Sequence, residues 1–126
     1  MNLEEAKKNY EDLEYPGLKT ERVSFLKALL SVKSKDLSDK KIIAGLIFDF
    51  LSDQVALYDY LKHDDQTLIY KWVDTNWEEN LNYVDLNLSI ICQLEADRSR
   101  VFLLQCLQKD ANEDVKSLIN EVLTEY

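Results

Sequence analysis

Glycine occurs twice and proline once in 126 residues, and that scarcity is the first constraint on the fold. Sheet proteins need turn residues every few strands, whereas helices joined by short polar loops can manage with Asp, Asn and Ser. An all-α domain is therefore predicted. Histidine occurs once, at His63, and cysteine twice, at Cys92 and Cys106. There is no CxxC, HExxH, ExxH, EF-hand loop, P-loop or GxSxG, so no catalytic, metal or cofactor chemistry is expected. The two cysteines lie in apolar runs and read as small buried thiols in a reducing compartment. No apolar run approaches the ~20 residues of a membrane span, and the N-terminus lacks the apolar stretch of a secretory signal. The expectation is a cytosolic chain. Bases are also short, at 15 against 24 acids, and a net charge of −9 argues against binding nucleic-acid phosphates.

What is present is ample for one core. The apolar fraction is 46%, and 126 residues suit a single domain spanning the whole chain. Helix one is predicted from about Asn2 to Asp12 and is stopped by Tyr15-Pro16-Gly17. Thr20 reads as the N-cap of a second helix carrying Val23, Leu26, Leu29 and Leu30. Ser38 and Asp39 restart the chain into a broad apolar face from Ile42 to Leu51. A break at Ser52 is expected next, followed by a fourth helix to His63. Asp64 or Asp65 caps a fifth, with Leu68, Ile69, Trp72 and Val73 on its stripe. Trp77 opens a sixth, longer helix through Leu81, Val84, Leu88 and Ile91, Asp97 opens a seventh, and Asn112 caps an eighth.

The last two helices carry a resemblance. Leu104, Leu107, Asp110, Asn112, Val115, Lys116 and Leu123 resemble one HEAT-type repeat: a helix, a tight Asp/Asn turn, and a second helix opening on Val and a base. The usual small residues inside the second helix are missing. The resemblance implies a short stack of antiparallel helical hairpins, a HEAT-like solenoid, with a compact helical bundle as the alternative.

Acid and aromatic side chains concentrate between Asp49 and Asp85. Nine carboxylates stand there against Lys62 and Lys71, a net of −7, together with seven of the thirteen aromatics. His63 beside Asp64 and Asp65 reads as a helix-end histidine at the negative end of the dipole. Asp64-Asp65 and Glu78-Glu79 read as first-turn acids, because adjacent helical residues point ~100° apart and cannot share a proton as an acid/base pair would. Trp72 and Trp77 fall on apolar stripes and belong to the core. The expected surface contacts are Asp59, Tyr60, Asp74, Glu78, Glu79 and Asp85.

Carboxylates with tyrosines suit a grip on a basic protein, since charge steers the encounter and rings supply contact area with few rotamers to freeze. In size, charge and want of catalytic residues the chain is similar to the immunity proteins of bacterial toxin systems, including those of contact-dependent growth inhibition. That similarity implies a non-enzymatic inhibitor covering the basic site of a nuclease toxin. A HEAT-like adaptor or assembly subunit is the alternative, distinguished by an exposed apolar patch in place of an acidic, salt-sensitive surface.

Overall fold

The structure, a computed structural model, describes residues 1–109 and 112–126. The described residues form seven α-helices and no strand: α1 (Leu3–Asp12), α2 (Lys19–Leu30), α3 (Leu37–Ala56), α4 (His63–Thr75), α5 (Leu81–Ile91), α6 (Ala96–Lys109) and α7 (Glu113–Leu123). One expected cap holds: Asn112 accepts from the Asp114 and Val115 amides. Asn2, the expected start of the first helix, is its N-cap and accepts from the Glu5 amide at 2.8 Å. Asp110, in the turn on which the HEAT resemblance rests, lies outside the described residues.

Other boundaries moved. Thr20 lies inside α2, which Leu18 precedes without a side-chain cap, and Asp36 caps α3 by accepting from the Asp39 amide at 2.9 Å. Lys62, without a side-chain hydrogen bond, takes the N-cap position of α4 in place of Asp64 or Asp65, which fall in its first turn. The break at Ser52 does not occur. Ile43, Ile47, Phe50 and Gln54 keep a helical spacing of four, three and four and are all buried, so packing carries the chain straight past a serine that is only mildly unfavourable in a helix. The expected helix from Ser52 to His63 thus merges into α3 at one end and becomes a loop at the other. His63 then opens α4, at the positive end of the dipole, the opposite of the expectation. Its Nδ1 lies 3.3 Å from the Glu95 carboxylate, and its carbonyl accepts from Arg98 at 2.9 Å.

The helices form two layers. α3 packs on α5 and α5 on α7, while α2 packs on α4. α4 reaches α6 through the Tyr70 and Phe102 rings, 5.4 Å apart, and through Arg98 donating to Thr67 Oγ1 at 2.6 Å. α2–α3 and α6–α7 close the layers on each other, and α1 covers the α2–α3 end. Contacts from each helix to the next but one suit a stack of hairpins as well as a compact bundle. α3 is the centre of the core, with Ile43, Ala44, Ile47 and Phe50 fully buried. No helix among the described residues is long and apolar enough to cross a membrane.

Candidate protein-binding site

The acids of the central stretch are dispersed and mostly answered. Asp53 lies 3.5 Å from Arg22, Asp59 2.7 Å from Lys19, Asp65 3.8 Å from Lys27, Asp74 3.1 Å from Lys109 and Glu78 2.8 Å from Lys40. All five bases come from outside the stretch, and set against its net of −7 they leave −2. Folding therefore spreads the charge that the sequence concentrates. Apart from the pair of the buried Arg22, pairs this exposed are worth ~0–1 kcal/mol each, so they matter more for where the field lies than for stability.

The six expected contact residues fall in separate places. Asp59 and Tyr60 share the loop after α3. Asp74 sits near the end of α4, Asp85 is exposed on α5, and Glu78 and Glu79 lie in the linker between those helices. The last two are not first-turn acids. Asn80 caps α5 by accepting from the Tyr83 amide at 3.1 Å, which starts the helix beyond both glutamates. Trp77 packs on the core from the linker rather than from a helix, while Trp72 is buried in α4 as expected. Cys92 also departs from expectation: it is exposed at the C-cap of α5, whereas Cys106 is buried, and both are free thiols.

The loop holding Asp59 and Tyr60 is unusually built. α3 ends in a Schellman arrangement, with the Asp59 amide donating to the Gln54 carbonyl and the Tyr58 amide to the Val55 carbonyl, each at 3.0 Å. The residue required to be left-handed there is Tyr58, at φ 54°. Glycine takes that position in most such caps, because an L side chain costs ~1–2 kcal/mol in this conformation. Tyr58 gains nothing from burial in return, since 84% of it is exposed. The strain is thus held at an exposed aromatic with little burial to offset it.

Side chains from α2 and α3 fix the loop. Lys19 Nζ donates to the Asp59 carboxylate at 2.7 Å and to the Tyr60 carbonyl at 2.8 Å. Gln54 Nε2 donates to the Asp59 carbonyl at 2.8 Å, and the buried Leu61 pins the far end. Behind Gln54 stands Arg22, 2% exposed, whose Nε donates to Gln54 Oε1 at 2.6 Å and whose Nη1 donates to the Glu14 carbonyl at 2.9 Å. Its Nη2 makes no hydrogen bond, though the Asp53 carboxylate lies 3.5 Å away. Asp53 in turn accepts from the Tyr10 hydroxyl at 2.7 Å. Burial first, and that hydrogen bond second, push the Tyr10 phenol well above its ordinary value. Arg22 also lies over the Phe50 and Tyr15 rings, 5.2 and 5.9 Å from their centroids. A buried guanidinium thus joins the α1–α2 loop to the α3–α4 loop.

Tyr60 is exposed, as its place off the apolar stripe predicts. Tyr58, Tyr15 and Leu18, outside the expected set, are exposed as well, and only Tyr58, two residues from Tyr60 in the same acidic segment, carries a signal for it in the sequence. Comparison of the chain with protein-family models, with curated proteins and with solved structures finds no match.

Proposed function

We propose that this chain is a non-enzymatic acidic binding protein that neutralises a basic protein partner, in the manner of an immunity protein set against a nuclease toxin. The observation that carries the reading is the Tyr58–Asp59–Tyr60 loop, exposed at both rings yet clamped by Lys19 and Gln54. A rigid loop of tyrosines binds with little further ordering, and tyrosine is among the residues that dominate interface energy. A net charge of −9 supplies long-range attraction for a basic partner. Because the central acids are largely ion-paired, that attraction is a property of the whole surface and acts on association rate more than on the contact itself.

The test is to titrate the purified chain against the protein encoded by the adjacent gene, assayed for nuclease activity. Stoichiometric loss of activity is expected, with association slowing steeply as salt rises. Tyr60→Ala should raise koff by the equivalent of ~2 kcal/mol, as for a buried interface anchor. Persistent nuclease activity at excess inhibitor would remove the reading.

A further inference from the structure

Two loops, not one, are held at this end of the molecule. Residues 13–18 connect α1 to α2 and residues 57–62 connect α3 to α4. Arg22 bonds the Glu14 carbonyl of the first and, through Gln54, the Asp59 carbonyl of the second. Lys19, next to Leu18 in the chain, holds the second loop directly. Each loop turns on a left-handed residue, Gly17 at φ 60° and Tyr58 at φ 54°. At Gly17 the reason for glycine is plain, since a Cβ would stand 2.6 Å from the Glu14 carbonyl oxygen. Tyr58 has the same backbone need and is not glycine. Around these turns stand four well-exposed apolar residues: Tyr15 at 57%, Leu18 at 63%, Tyr58 at 84% and Tyr60 at 57%.

We infer that Tyr15, Leu18, Tyr58 and Tyr60 act together as a convex anchoring tip that enters an apolar cleft with a basic rim on the partner protein. This rests on the reading proposed above and names the surface and the shape of partner it requires. Projecting rings call for a concave receiver, and clefts of that kind are where buried anchors concentrate binding energy. Complementarity of charge fixes the rim. At the tip, Arg22 stands 3.5 Å from the Asp53 carboxylate and Lys19 2.7 Å from the Asp59 carboxylate, so an acid offsets the charge of each base. Lys62, exposed at the far end of the second loop, is the exception. Glu11, Asp12 and Glu14 are exposed on the approach to the first loop, and the tyrosine faces can stack partner guanidinium groups.

The decisive variant is Tyr58→Gly, which deletes the ring while keeping the left-handed backbone that the cap needs. Measured against the protein encoded by the adjacent gene, koff should rise about thirtyfold or more while kon and its salt dependence stay within twofold. Tyr15→Ala should raise koff by tenfold or more, although this residue lies forty-three positions away in sequence. Val101→Ala, which trims an exposed apolar residue of α6, should change nothing. If Tyr58→Gly and Tyr15→Ala bind like the parent while charge reversals at Asp74 or Asp85 weaken binding, the tip is overturned and the acidic-inhibitor reading stands. If the parent chain itself does not bind that protein, both fall. Unchanged far-ultraviolet dichroism and an unlowered Tm for Tyr58→Gly separate a lost anchor from a lost fold.

Discussion

Arg22 Nε and Gln54 Oε1 lie 2.6 Å apart in a part of the core where both side chains are almost fully enclosed, at 2% and 1% exposure. The pair converts a packed helix interface into a support for two loops, because Arg22 Nη1 and Gln54 Nε2 each donate to a backbone carbonyl on a different one.

Arg22→Ala should cost about 3 kcal/mol or more of stability in urea unfolding, because it removes a buried charge and strands Gln54 Oε1 and the Glu14 carbonyl. Arg22→Lys should recover only part, since an ammonium cannot serve both acceptors in the guanidinium's planar geometry. A cost under 1 kcal/mol for the alanine variant would mean that the network is not a structural support.

Tyr58→Gly should stabilise the free protein by about 0.5–1 kcal/mol: relief of left-handed strain outweighs the entropy that glycine adds to the unfolded chain. Chemical denaturation with a two-state fit measures it. A destabilised variant would show that the exposed ring makes a stabilising contact within the fold.

High pH should unfold the protein through phenols that the fold shields, fully or in part, from water. Tyr83 and Tyr70 are raised above 10, mainly by burial, as is Tyr10, and Tyr126 is pushed up to about 12 by burial and by its hydrogen bond to Cys92. A raised folded-state value means that folding favours the neutral phenol. The stability these groups lend is complete below pH 10 and is lost as pH climbs through the folded-state values. Absorbance at 295 nm followed together with circular dichroism should show a late group of tyrosines ionising as helix is lost. Ionisation of all seven in one step near pH 10, with dichroism intact, would contradict this.

Glu78→Lys sets two ammonium groups where Lys40 and Glu78 now meet at 2.8 Å, and it should cost no more than about 1 kcal/mol because the pair is partly exposed. The double exchange Lys40→Glu/Glu78→Lys should regain most of that loss. Equal melting temperatures for the single and double variants would mean that the pair contributes nothing.

The helical fold was legible because nearly every apolar series keeps three- and four-residue spacing, and Asn112 was legible as a cap because a short polar side chain directly precedes such a series. Three features were not. Ser52 looks like a cap, but Gln54 continues the buried stripe as a polar residue, which a pattern of apolar positions does not register. Arg22 is a charged residue inside the core, visible only once its partners from α3 and the first loop are beside it. Tyr58 gives no sign of its left-handed backbone, because the usual signal for that conformation is glycine. The acidic stretch was read correctly as composition and incompletely as a surface, since the five bases that answer it are remote in sequence.

A layered stack in which each helix leans on its neighbours need not open all at once. α1 contributes a single fully buried residue, Ala6, and packs chiefly on α2 and α3, whereas α3 buries six. Amide hydrogens of α1 should therefore exchange through a local opening well below the global unfolding free energy, with those of α3 and α5 exchanging last. The first tip loop is the hinge of that opening. When α1 lifts, Tyr10 leaves Asp53, and Arg22, through the Glu14 carbonyl and the Tyr15 ring, keeps Tyr15 in register with Tyr58. A partner seated across both loops would close that hinge, so the amides it protects most should lie in α1, a helix outside the four-residue contact.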